Sequence, residues 1–161
     1  MAKKFTIGKF QKDIINYQFS YPEILRHART RRQYYHGKRS KEENDTMKPL
    51  ATLGDAVLDL IVIKRLYRGG ERDEGRLSQV KEKEVKKQKT FALAKSLHYE
   101  KYIRWGKGEM KAKSWNSGPE TFDTCIEALI GAVFLDAQKS RKNGLKYAEK
   151  MLERLHFFEN T

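Results

Sequence analysis

The stretch PLATLGDAVLDLIVIKRLY, residues 49–67, decides the reading of this chain. From Leu53 to Ile63 nearly every residue is apolar, and the pattern predicts a helix that stops near Gly69 and Gly70. Two acids interrupt it. Asp55 and Asp59 stand four residues apart, so both leave the helix from one face. A carboxylate on so apolar a helix is costly unless something compensates it. The helix is also apolar on more than one side, more than one small bundle needs to bury. That excess predicts a two-fold interface with a second copy of the chain.

A second stretch repeats the pattern. TFDTCIEALIGAVFLDAQ, residues 121–138, reads as another apolar helix, and its only charge between Thr124 and Leu135 is Glu127. Asp123 sits one turn earlier on nearly the same face. If the two helices pack together, Asp55 and Glu127 face each other. Two carboxylates about 4 Å apart repel by roughly 4 kcal/mol at an effective dielectric near 20. Protonation of one acid, an intervening Lys or Arg, or a divalent cation would each relieve that repulsion, and hard cations such as Mg²⁺ favour carboxylate oxygens. Structural roles compete: Asp55 as a helix cap after Gly54, Glu127 as the partner of an arginine. His27, His36, His98 and His156 are scattered and Cys125 is alone, so no zinc spacing is present.

The 161 residues suit a single domain, 1–161, with a real core. Lys and Arg number 34 against 21 Asp and Glu, a formal charge of +13 and a pI near 9.8. This surplus predicts a polyanionic partner, nucleic acid or an anionic membrane surface. No apolar run is long enough to span a bilayer, and MAKKFTIGKF lacks the apolar segment of a secretory signal. One cysteine permits no internal disulfide. The expectation is therefore a cytoplasmic protein with no membrane partner, binding nucleic acid.

Most other segments also read as helix. Residues 8–19 carry Phe10, Ile14, Ile15 and Tyr17 at helical spacing, and Pro22 opens a short helix through Leu25 and Ala28. Residues 36–48 read as a loop. Residues 73–97 read as one amphipathic helix with Leu77, Val80, Val85, Phe91, Leu93, Ala94 and Leu97 inward. Lys81, Lys83, Lys86, Lys87 and Lys89 form its solvated or phosphate-facing stripe. Residues 104–120 read as a Gly-containing loop and residues 144–158 as a closing helix. No segment reads as strand, so the fold class is an all-α bundle. GKGE at 106–109 lacks the spacing of a phosphate-cradling P-loop, and no serine sits in a strand–turn–helix setting that would suit a nucleophile.

LGDAVLDL (53–60), DEGRLSQVKEKEV (73–85), GKGE (106–109) and IEALIGAVFLD (126–136) occur in the order found in the ribonuclease III catalytic domain, and residues 16–34 resemble its opening helices. The resemblance runs from about Ile14 to about Leu155. It implies a homodimeric, all-helical endonuclease bundle that cuts double-stranded RNA, with ribosomal RNA precursor stems plausible substrates. Mg²⁺ would be the cofactor, Mn²⁺ able to substitute, with no small-molecule cofactor, and the products would carry 5′-phosphate and 3′-hydroxyl ends. Asp55 falls on the family's signature aspartate and Glu127 on its second-helix glutamate, which implies catalytic and metal-binding roles for both. Ala51 and Thr124 stand where the family usually has two further acids, with Asp123 a neighbouring stand-in for the metal. Glu74 matches the acid of an EG-L motif and, with Asp59, has a supporting role. The small branch called Mini-ribonuclease III resembles this chain in those two replacements and in lacking a separate RNA-binding domain, although GKGE and DEGRL look more like the full-length family. The catalytic domain would then contact RNA itself, through Lys107, Lys111, Lys113 and Trp115, with Arg29, Arg31 and Arg32 as weaker candidates. The competing reading of that loop is a solvated segment with Trp105 in the core. The alternative function is a catalytically degenerate, RNA-binding dimer.

Overall fold

In the computed structural model, which describes residues 6–36 and 45–158, the chain opens with α1 (Ile7–Lys9), which runs into a π-helical turn over Phe10–Ile14. The helix expected over 8–19 stops there. Asn16 takes a left-handed conformation with φ of 49°, and the following backbone turns to meet the fully buried Asp136. Tyr17 Oη (2.7 Å), Ser20 N (3.1 Å) and Tyr21 N (2.8 Å) all donate to that carboxylate, while Phe19 N donates to Gln11 (2.9 Å). A buried charge demands donors, and here it takes them from a segment whose local spacing favoured helix.

Pro22 opens α2 (Pro22–Ala28) as expected. The apolar stretch forms α3 (Met47–Arg68), ending at Gly69. It begins two residues inside the segment read as a loop; residues 37–44 of that segment lie outside the described residues. The amphipathic segment is two helices, α4 (Glu74–Glu84) and α5 (Lys87–Ser96), broken by the extended backbone of Lys86 (ψ 138°). On one continuous helix Leu93 would lie roughly 160° round from Leu77. The break re-aims α5 so that Thr90, Leu93 and Ala94 are buried, and Lys89 reaches back to the buried Glu84 at 2.6 Å.

The expected loop at 104–120 also contains structure, α6 (Lys107–Ala112) and a short 3₁₀ turn over Ser114–Asn116. Glu109 explains it. One carboxylate oxygen accepts from the backbone of Gly106 at the helix start (3.1 Å), and the other accepts from Arg31 (2.8 and 3.0 Å). Then come α7 (Pro119–Lys139) and α8 (Gly144–Arg154). A single backbone bridge between Thr30 and Arg104 is the only strand-like pairing among the described residues.

The second apolar helix is the centre of the molecule. Along α7, Phe122, Cys125, Ala128, Leu129, Ile130, Ala132, Val133 and Ala137 are fully buried, as expected of a helix apolar nearly all round. It packs against α2, α3, α5 and α8, most extensively against α3.

Candidate active site

The α3–α7 crossing is a backbone-to-backbone contact. A Cβ added to Gly54 would lie 1.7 Å from the carbonyl oxygen of Glu127 and 2.8 Å from the amide nitrogen of Gly131. A Cβ added to Gly131 would lie 2.1 Å from the carbonyl oxygen of Leu50. Only glycine permits such an approach. The glycine of LGDA therefore acts through space. It lets the helices press together at Gly54, which holds Asp55, the next residue, beside Glu127.

The acids open into a cleft of about 490 Å³ lined by α3, the start of α5 and the first half of α7. Asp55, Asp123, Glu127 and Glu120 supply negative charge, Lys48 and Lys87 positive charge, and Ala51, Thr52 and Thr124 the remaining wall. Asp55 is exposed, which corrects the idea of a buried charge on an apolar helix; Glu127 is half-buried and Asp123 buried. Asp123 accepts a hydrogen bond from Thr90 on α5 (2.7 Å). Among the described residues, none donates a hydrogen bond to the carboxylates of Asp55 or Glu127.

Burial raises the Glu127 carboxyl from 4.5 to about 7, with the negative charges of Asp123 and Asp55 adding to the shift. Burial also raises Asp123, opposed by its bond to Thr90. The Lys87 ammonium opposes both shifts, and a hard divalent ion between the carboxylates would oppose them further. Among the described residues no three acid, histidine or cysteine side chains converge on one point. An ion held by Asp55 and Glu127 alone would take most of its shell from water or substrate oxygens.

The other sequence candidates fall outside the cleft. Asp59 is occupied by Lys81 at 2.8 Å. Glu74 lies exposed in the first turn of α4. Lys107, Lys111 and Lys113 are exposed on or just after α6. Trp105 is in the core, donating to Glu100 O at 2.9 Å, and Trp115 is half-buried with its ring 5.3 Å from that of Trp105. Arg29 is used by Tyr102 O and Arg31 by Glu109, whereas Arg32 is exposed.

The sequence profile of the family described as ribonuclease-III-like matches residues 21–155. The chain belongs to the ribonuclease-III-like family. It is 34% identical over 143 residues to ribonuclease 3 of Cupriavidus pinatubonensis, an alignment covering 88% of this chain and 50% of that protein. It is 36% identical over 148 residues to ribonuclease 3 of Magnetococcus marinus, covering 88% and 56%. The chain thus spans about half the length of the curated relatives it matches. A crystallographic counterpart is the nuclease domain of ribonuclease III from Campylobacter jejuni, with TM-score 0.79 and 28% identity over 96% of this chain and 99% of that one. Flexibility is described there in a region involved in dimer formation.

Two further residues shape this ribonuclease-III-like site: Thr90, which sequence reading missed and which orients Asp123, and Lys87, read from sequence only as part of a solvated or phosphate-facing stripe, which lines the cleft. Their positions depend on the bend between α4 and α5, and no local signal marks that bend.

Proposed function

We propose that residues 1–161 act as one ribonuclease III-type nuclease domain, a divalent-metal-dependent endoribonuclease that cuts double-stranded RNA. The observation carrying this reading is the cleft at the glycine crossing of α3 and α7, lined by Asp55, Asp123 and Glu127. Asp55 and Glu127 would hold the ion, with Asp123 contributing directly or through water. Mg²⁺ suits an all-oxygen, partly hydrated shell, and Mn²⁺ would replace it. Bound there, the ion would supply an activated water and charge relief at the phosphodiester, and the products would carry 5′-phosphate and 3′-hydroxyl ends. Thr90 keeps Asp123 aimed into the cleft. Glu127 must surrender its proton before it can serve, so rising pH favours binding of the ion. The net charge of +13 supplies phosphate attraction across the surface, with Lys107, Lys111 and Lys113 an exposed set beside the half-buried Trp115.

The working unit in this reading is a homodimer. Leu60 (51% exposed), Ile63 (37%) and Tyr67 (53%) lie on one side of α3, an apolar stripe that a second copy would cover. No described helix is long and apolar enough to cross a membrane. A non-catalytic RNA-binding dimer is the second reading, favoured by Ala51 in the cleft wall and by two lysines beside the acids. Incubation with long duplex RNA and Mg²⁺ separates the two. Nicked products from the wild type and none from Asp55→Asn or Glu127→Gln are expected of the enzyme. A wild type inert with every divalent ion would leave the binding dimer.

A further inference from the structure

The cleft holds positive as well as negative charge, and among the described residues neither of its cations forms an ion pair with Asp55, Asp123 or Glu127. Lys87, the first residue of α5, has its ammonium 3.6 Å from Glu120, whose side chain is 83% exposed. It does not sit on the half-buried Glu127 or on Asp123. Lys48 lines the same wall from the first turn of α3 and has no acid within ion-pair distance among the described residues. It shares a face with Thr52 and Asp55, about 10 Å along the helix axis from Asp55. Three lysines elsewhere are held in closer ion pairs: Lys81 with Asp59, Lys89 with Glu84 and Lys64 with Glu149. Two cations left at the mouth of an acid-lined cleft, one unpaired and one on a solvated rim carboxylate, suit an anion arriving from outside.

We propose that Lys48 and Lys87 are the substrate-phosphate contacts of the cleft, gripping non-bridging oxygens of the RNA backbone on either side of the acids. This rests on the nuclease reading above, because that reading puts a phosphodiester in the cleft. Lys87 is also held in register with the acids. The Thr90 hydroxyl, one turn along α5, donates to Asp123 at 2.7 Å and lies 2.9 Å from the Lys87 carbonyl oxygen, which ties the first turn of α5 to the acid. On duplex entry the Lys87 ammonium leaves Glu120 for a phosphate, and Glu120 returns to water.

The test is equilibrium binding of a blunt, fluorescently labelled RNA duplex in EDTA, measured by anisotropy across a salt series. Lys48→Gln and Lys87→Gln are each expected to lower the slope of log affinity against log salt by about one, and the double variant by about two, one for each phosphate no longer gripped. Lys87→Arg should keep the wild-type slope. Lys150→Gln, on α8 and outside the cleft, serves as the surface-charge control, and melting curves verify that every variant is folded. Slopes unchanged from wild type in both glutamine variants, or lowered equally by Lys150→Gln, overturn the proposal. Cleavage with Mg²⁺ is scored in parallel. Lowered slopes with an inert wild type would leave the phosphate contacts standing and remove the nuclease. Unchanged slopes with an active wild type would do the reverse.

Discussion

Replacing Gly54 by alanine would test the crossing that builds the site. The new methyl would sit 1.7 Å from the carbonyl oxygen of Glu127 and 2.6 Å from its carbonyl carbon. Comfortable contact between such atoms is about 3.5 Å, so α3 and α7 must separate by roughly 1.5 to 2 Å. Neither opposing atom belongs to a flexible side chain that can swing away. Overpacking of this kind costs about 1–3 kcal/mol, and the backbone setting places it at the upper end. For a chain of this size that is a loss of roughly 5–10 °C in Tm. The same separation pulls Asp55 from Glu127, and a displacement near 1 Å at reacting groups can cost about 10²-fold in rate. Circular dichroism melts and duplex cleavage on the same preparation read both effects. Gly8→Ala is the control, because nothing lies within 4 Å of a Cβ there; it should be neutral or slightly stabilising. A Gly54→Ala protein with wild-type Tm and wild-type cleavage would refute the idea that this contact sets the site.

Other consequences follow from the same structure. The raised Glu127 carboxyl means the folded chain holds that proton more tightly than the unfolded chain, so its contribution to stability is full below about 4.5 and lost as pH climbs through about 7. Glu127→Gln should therefore melt like wild type at low pH and higher at about pH 8.5. Solvent screening of the half-exposed carboxylate holds that gain to about 1 kcal/mol. Thr90→Val removes the hydrogen bond to the buried Asp123 and should cost about 1–2 kcal/mol in urea titration. Asp136→Asn weakens the buried acceptor that gathers Tyr17, Ser20 and Tyr21, and should cost about 2–3 kcal/mol while making the segment before Pro22 an early site of proteolysis. Leu60→Glu places a charge in the apolar stripe of α3 and should shift the sedimentation mass to that of a single chain; an unchanged dimer mass would remove α3 from the interface.

The two apolar stretches are legible because their burial is written in composition: the runs from Leu53 to Ile63 and from Thr124 to Leu135 are mostly apolar, and the acids among them stand out. What the sequence alone could not supply was how those acids are exposed. Asp55 reads as a buried charge on an apolar helix, yet the crossing at Gly54 turns it outward into the cleft. The end of the first helix, the break at Lys86 and the presence of α6 were all hidden for one reason. Each is imposed by a partner distant in sequence: Asp136 for the first, α7 for the second, Arg31 through Glu109 for the third. Lys87 belongs with these, since a lysine in a basic stripe carries no mark of the cleft it borders until α5 is bent toward α7. Trp105 went to the core and Trp115 leaned upon it, because aromatic area is more readily satisfied by packing than by waiting for a base.

The nuclease reading of the cleft depends on Asp55 and Glu127 forming one cation site. Mn²⁺ titration followed by electron paramagnetic resonance measures this without RNA and without turnover. Saturable binding by the wild type is expected, weakened about 10-fold or more in both Asp55→Asn and Glu127→Gln, with Mg²⁺ displacing the bound Mn²⁺. Equal Mn²⁺ affinity in the wild type and both variants would be incompatible with a shared site.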